Sequence, residues 1–258
     1  MATSTPDYGT EPLEVAGPEH PEWGAELAPR RPIARKTLHD SIVESLRDMI
    51  ISGQFPPGAK LPEKELCEYF GVSRTPLRES FKVLAAENIV ELLPSRGVRV
   101  TQTTVEDIDE IFEVLGVLEA LSGELACLRM SDAEIADIRE LHERMVEHYE
   151  RGERMPYFKI NQEIHERIMA GAGNRNLADV YSRLTGRIRR SRYLSSLSDR
   201  RWKQAVGEHA AMLNALESRD GERLFRILRE HLKNKADAAR TTLLEAESHS
   251  PSKGSSES

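Results

Sequence analysis

The chain has 258 residues, with 36 Lys and Arg against 43 Asp and Glu, a formal net charge of -7, and 2 Cys. This length is enough for one or two globular domains with hydrophobic cores. No run approaches the roughly 18 apolar residues of a membrane helix, and the N-terminus is acidic and rich in proline, so we expect neither a membrane span nor a secretory signal. The two isolated cysteines are typical of a reducing compartment, and we expect a cytoplasmic protein.

The ends of the chain differ in composition from its middle. Residues 1–33 combine prolines with acidic and small residues, and residues 247–258 are rich in serine. Neither segment has the apolar periodicity of a packed helix or strand, so both are predicted to be disordered tails. The remaining chain is predicted to form two domains, residues 34–102 and residues 103–246.

The first of these domains is predicted to contain three helices and a β-hairpin. Apolar residues recur at helical spacing in three segments, and two short runs rich in Val and Leu flank a tip at residues 94–97. Ser73 is placed to cap the third helix. The predicted elements are helices Leu38–Ile51, Glu63–Phe70 and Arg74–Asn88, and strands Ile89–Leu93 and Val98–Thr101.

The second domain is predicted to be entirely helical. Thr104 and Ser131 are placed to cap the first two of its helices, and Gly or Asn residues separate several later ones. Helices are predicted from Thr104 and from Ser131 towards Tyr149, and then over Met155–Met169, Leu177–Leu197, Arg200–Ser218 and Glu222–Leu244. The predicted fold class is therefore mainly α, with an N-terminal winged helix-turn-helix and a C-terminal all-α helical bundle.

The start of the third helix has the residues of a DNA-reading surface. In a winged helix-turn-helix this end enters the major groove, and Arg74 and Arg78 lie one turn apart on one face. Guanidinium groups bind guanine edges with two hydrogen bonds, whereas hydroxyls and backbone N–H groups bind phosphate. The predicted DNA-binding residues are Lys64, Ser73, Arg74, Thr75, Arg78, Arg96 and Gly97.

Three sequence segments resemble the DNA-binding domain of the GntR family of bacterial transcription regulators. They are Pro57-Gly58-x-x-Leu61-Pro62-Glu63-x-x-Leu66, Phe70-Gly71-Val72-Ser73-Arg74-Thr75-Pro76-Leu77-Arg78-Glu79 and Leu93-Pro94-x-x-Gly97-Val98-x-Val100. In that family the positions that match Lys64, Arg74, Thr75, Arg78 and Gly97 contact DNA. The resemblance also implies a homodimer that binds double-stranded DNA with an inverted-repeat operator.

The predicted bundle holds a candidate metal site. Asn161 and His165 share a helix face, and His209 and His231 lie near the middle of two further helices. Imidazoles from three helices can bind a divalent transition metal, with an amide oxygen as a weak fourth ligand. From spacing alone, the favoured interpretation is that each histidine is an isolated polar residue on its own helix.

A second resemblance favours metal binding by the helical bundle. Asn161-x-x-x-His165, Glu208-His209-x-x-x-Leu213, Glu230-His231-Leu232 and Leu118-Glu119 are similar to the FadR-type (FCD) effector domain. Its metal-binding branch uses an Asp and three His to hold a divalent ion, and a small carboxylate often binds there. This implies Zn, Ni or Mn at Asn161, His165, His209 and His231. Two residues depart from the pattern, since Asn161 replaces the usual Asp and Leu115 stands where an Arg is common.

An anionic effector would offset the positive charge that a neutral ligand set leaves on such a metal. Arg187 and Arg190 are candidate effector-binding residues, although the run Arg183, Arg187, Arg189, Arg190 and Arg192 is equally consistent with a solvated helix face.

The sequence predicts a DNA-binding regulator, expected to be a repressor controlled by a small carboxylate bound near the metal. One alternative is a bundle that dimerises and binds no effector. A metalloenzyme is disfavoured because His165-Glu166-x-x-Met169 lacks the second His of an HExxH pair, and no other catalytic motif is present. We therefore expect no enzymatic activity and no membrane partner.

Overall fold

A computed structural model of the chain describes residues 37–94 and 96–248. The predicted tail 1–33 and most of the predicted tail 247–258 lie outside these residues. The described elements are helices α1 (Leu38–Ser52), α2 (Glu63–Phe70) and α3 (Arg74–Ala86), strands β1 (Val90–Leu93) and β2 (Gly97–Val100), and helices α4 (Val105–Arg129), α5 (Asp132–Glu150), α6 (Arg154–Gly171), α7 (Arg175–Ser195), α8 (Asp199–Glu217) and α9 (Gly221–Ser248). The predicted fold class is confirmed.

Helices α1 to α3 and the hairpin share one hydrophobic core that includes Leu46, Leu77 and Phe81. Gly53 and Gly71 end α1 and α2 in the left-handed region, where a residue with a Cβ is strained. The strands pair antiparallel, with Val90 opposite Val100 and Leu93 opposite Gly97. Through this core α3 packs against α1, α2 and β1, and the hairpin of β1 and β2 forms the wing.

Ser73 differs from the expected cap. It occupies the N-cap position of α3 with extended backbone, but its side chain makes no capping hydrogen bond. Helix α3 also ends at Ala86, two residues before the predicted end, and Asn88 lies in the left-handed region. In contrast, Thr104 and Ser131 form the predicted capping boxes at the starts of α4 and α5.

The six C-terminal helices enclose two further hydrophobic clusters. Helix α4 packs closely along α9, and Gly123 is required there. A Cβ at Gly123 would lie 2.4 Å from Leu228 Cδ1 and 2.9 Å from Leu224 Cγ. The close approach of α4 and α9 brings the inner faces of α4, α6, α8 and α9 together around a buried polar centre.

Helix α7 connects the bundle to the DNA-binding domain. Arg190 Nη1 donates to the carbonyl oxygens of Ile50 and Ile51 at the end of α1, over 3.0 and 3.4 Å. Both oxygens lie in the last turn of α1, at the negative end of the helix dipole, and that of Ile50 also accepts from the Gly53 N–H group. Gly186 lies so near the Glu87 carbonyl that an added Cβ would overlap it. Helix α7 therefore fixes the position of α1 and α3 on the bundle.

Within the described residues, no helix combines the length and the apolar character needed to cross a membrane.

Candidate DNA interface and buried histidine cluster

The predicted DNA-binding residues occupy the free surface of the winged domain. Six of them are exposed, and the seventh, Gly97, is partly exposed at the start of β2 with a φ of +87°. Arg78 of α3 and Gly97 of the wing line the same groove. Helix α3, the recognition helix, and the wing therefore form one continuous surface. The six exposed residues are Lys64, Ser73, Arg74, Thr75, Arg78 and Arg96.

Arg78 forms an exposed ion pair with the preceding helix. Its Nε donates to Glu63 Oε2 of α2 over 3.0 Å, and its side chain remains 61% exposed. An exposed pair of this kind contributes little to stability and exchanges readily for a stronger partner. The Ser73 hydroxyl, which caps no backbone N–H group, is likewise available to a phosphate. The N-terminal end of α3 is thus free to contact DNA.

The structure brings the predicted metal ligands together. His165 of α6, His209 of α8 and His231 of α9 are fully buried, and each offers a ring nitrogen within 4.8 Å of the others. Asn161 lies one turn before His165, with its Nδ2 at 2.6 Å from His209 Nε2. The alternative in which each histidine lies alone is therefore wrong.

Two carboxylates, Glu119 and Glu208, orient two of these imidazoles. Both belong to the sequence motifs but were not among the predicted site residues. Glu119 Oε2 of α4 lies 2.7 Å from His165 Nδ1, and Glu208 Oε2 of α8 contacts His231 Nδ1. An ionised carboxylate can only accept, so each contact favours the tautomer that carries the ring proton on Nδ1 and directs the Nε2 lone pair at the cluster. This is the arrangement of outer carboxylates that supports metal-bound histidines.

Two buried arginines complete the polar centre. Arg192 Nη2 of α7 lies 3.2 Å from Glu119 Oε1, and Arg201 Nη2 of α8 lies 2.8 Å from Glu208 Oε2. Burial by itself raises the pKa of Glu119, but His165 and Arg192 outweigh it and leave the pKa below its usual value. Glu119 therefore remains ionised inside the bundle.

Lys235 also reaches the cluster. Its Nζ lies 3.3 Å from His165 Nε2 and 3.2 Å from Asn161 Oδ1, and the side chain is buried. Burial, together with the charge of Arg192, lowers its pKa well below the usual value. Lys235 was not among the predicted site residues, although it lies four residues after His231 and therefore on the same helix face.

Arg187 and Arg190 lie away from this centre. Arg187 pairs with Asp107 near the start of α4 over 2.6 Å, and Arg190 binds the end of α1. The arginine of this run that reaches the cluster is Arg192, which is completely buried. The prediction that Arg187 and Arg190 bind an effector next to the histidine cluster is therefore not supported by their positions, and the alternative of a wholly solvated face is wrong because Arg192 is buried.

The buried histidines predict how stability depends on pH in the metal-free protein. Burial lowers the pKa of His165 to about 4 and those of His209 and His231 well below the usual value. Between about pH 6.5 and 5 the unfolded chain then binds more protons, so the free energy of unfolding should fall as the pH is lowered. Urea denaturation with a chelator measures this, and a constant free energy over the range would contradict it.

Comparison with known proteins identifies both domains. Residues 38–100 match the bacterial regulatory proteins of the gntR family, and residues 110–234 match the FCD domain. The Nta operon transcriptional regulator of Aminobacter aminovorans is 30% identical over 59% of this chain and 72% of its own. The transcriptional repressor RspR of Escherichia coli (strain K12) is 24% identical over 83% of this chain and 92% of its own.

The solved structure of E. coli McbR/YncC covers 80% of this chain and 99% of its own, with a TM-score of 0.69 at 22% identity, and so shares the fold. The two sequence relatives are named as transcriptional regulators. A winged domain with an exposed basic recognition helix, joined to an FCD bundle, places the chain in the gntR family of bacterial regulatory proteins as a FadR-type DNA-binding transcriptional regulator.

Proposed function

We propose that this protein is a cytoplasmic, homodimeric repressor that binds an inverted-repeat operator and responds to a small carboxylate bound within its helical bundle. DNA binding is supported by the exposure of Arg74 and Arg78 beside the wing, at the N-terminal end of α3. Repression is supported by the relative RspR, which is named as a repressor. Selection of operators from random DNA, followed by transcription assays, tests the proposal.

Arg74 and Arg78 should set the base preference of the operator. Changing either to Ala should remove about 1 to 3 kcal/mol of discrimination at one base pair, because a two-bond contact to guanine is lost. Arg96→Ala is the matched control, since a wing contact to phosphate should weaken all sequences equally. Binding titrations on the selected operator and single-base variants measure both effects. Unchanged base preference in both α3 variants would exclude α3 as the reading element.

A cavity beside the histidine cluster supports the effector part. It is small, with a volume of about 20 Å³, and its lining includes Tyr157, Asn161, Arg192, Arg201 and Lys235. Several donors there are buried without a partner, namely Arg192 Nε, Arg201 Nε, Arg201 Nη1 and the Tyr157 hydroxyl. Unpaired buried donors are costly, and a carboxylate would satisfy them. The ligand class that these donors favour is an organic acid, and the cavity must widen to admit it.

Helix α7 offers a route from this cavity to DNA. Arg192 and Ser195 line the cavity, and Arg190 holds the end of α1 through two carbonyl oxygens. A ligand that shifts Arg192 therefore acts on the helix that positions the winged domain. A screen of small carboxylic acids for release of operator DNA tests this coupling. If no acid binds, the bundle is instead a dimerisation module without an effector.

The surface of α4 supports a homodimer. Val114, Val117, Leu121 and Leu128 follow helical spacing and retain between 36% and 76% of their surface exposed. The opposite face of α4 is buried against α9, so this helix is apolar on both sides, which is typical of an element with a further partner. A second copy of the chain, related by a two-fold axis, would cover the stripe and match a two-fold operator.

The ring nitrogens of the histidine cluster and the amide oxygen of Asn161 also fit a divalent ion, for which Zn, Ni and Mn are candidates. His165, His209 and His231 would hold it, and Asn161 would offer its amide oxygen. The support is that Glu119 and Glu208 direct two imidazole lone pairs inwards, and that His231 Nε2 is buried without a partner. When bound, the ion would add positive charge next to the carboxylate cavity.

A further inference from the structure

Two of the three imidazole lone pairs in the cluster already face N–H donors of the chain itself. Lys235 Nζ lies 3.3 Å from His165 Nε2, and Asn161 Nδ2 lies 2.6 Å from His209 Nε2. An imidazole whose Nδ1 carries the proton has a single lone pair, on Nε2. Because Glu119 holds the proton of His165 on Nδ1, its Nε2 either accepts from Lys235 or binds a metal, but not both.

Asn161 and Lys235 differ in what they can do when an ion enters. An amide can turn and present its oxygen, so Asn161 can change from donor to ligand. The Lys235 amino group makes its second contact with Asn161 Oδ1, over 3.2 Å, which is the oxygen that the ion would need. Lys235 thus occupies the only lone pair of His165 Nε2 and one of the two lone pairs of Asn161 Oδ1. It must leave His165 before that nitrogen can bind an ion.

We propose that Lys235 is a built-in competitor of the metal, so that the histidine cluster of this chain exchanges between a lysine-occupied state and a metal-bound state. The proposal rests on the metal site described under the proposed function. Lys235 also lines the small cavity beside the cluster. Metal uptake displaces its amino group from His165, so the state of the cluster changes the donors that line this cavity.

The test compares Lys235→Met with wild type in the full-length, metal-free dimer. Zn²⁺ is titrated in competition with a chromophoric chelator, and the substitution should tighten Zn²⁺ binding at least tenfold, since methionine fills the space and makes no hydrogen bond to His165. Lys233→Met is the matched control, because Lys233 is exposed on the same helix, and it should leave the affinity unchanged. Adding His165→Ala should abolish tight binding in either background.

A second measurement needs no substitution in the protein that is titrated. In wild type with labelled lysine side chains, one NMR signal should move as Zn²⁺ is added, and the spectrum of Lys235→Gln or Lys235→Met assigns that signal to Lys235. Unchanged or weaker Zn²⁺ binding by folded Lys235→Met, or a Lys235 signal that does not move on Zn²⁺ binding, would overturn the competition and leave the histidine site standing. Absence of Zn²⁺ binding in both proteins would overturn the histidine site itself.

Discussion

Glu119→Ala should lower the free energy of unfolding by about 3 to 5 kcal/mol, the range found when one partner of a buried ion pair is removed. Glu119 is buried and contacts both Arg192, at 3.2 Å, and His165, at 2.7 Å. Without the carboxylate, Arg192 keeps only the Tyr181 hydroxyl, 3.3 Å away, as a partner inside the bundle. The uncompensated charge is the main cost. Urea denaturation at a fixed protein concentration measures the change.

Two further variants separate charge from shape. Glu119→Gln keeps the side-chain volume and one acceptor oxygen, so it should recover part of the lost stability. Glu113→Ala removes an exposed carboxylate from the same helix and should change the free energy of unfolding by less than about 0.5 kcal/mol. If Glu119→Ala is no more destabilising than Glu113→Ala, the buried ion pair does not hold α4 to α7.

Placing two aspartates on the exposed stripe of α4 should separate the proposed dimer. Val117→Asp together with Leu121→Asp would bury two charges per chain at the contact, and unpaired charges are strongly disfavoured there. Because a dimer binds both half-sites of an operator at once, the monomer should bind at least about a hundredfold more weakly. Sedimentation at micromolar concentration and operator titration measure the two effects.

The matched control is Val180→Asp, which changes an exposed valine of α7 in the same bundle. It should leave both sedimentation and operator affinity as in wild type. If the α4 double variant still sediments as a dimer, another face forms the interface. If it is a monomer with unchanged operator affinity, the protein does not need two-fold symmetry to bind DNA.

The helices and the wing were predictable because their signals are local. Thr104 and Ser131 cap their helices through residues three positions later, and Gly53 and Gly71 end helices through their own backbone freedom. The end of α3 was misplaced by two residues because Asn88 adopts the left-handed region that apolar periodicity does not reveal. Ser73 made no capping bond, although its residue type favours one.

The sequence by itself determined the family, the fold class and the residues on the exposed face of α3, since each depends on motifs or spacings within one element. It also indicated the three histidines, but only the tertiary structure decided that their ring nitrogens meet, because they come from three helices far apart in the chain. The same holds for Glu119, Arg192 and Lys235, whose charges are buried through packing of α4, α7 and α9. Spacing places a side chain on a helix face, whereas its partner across the bundle depends on how the helices pack.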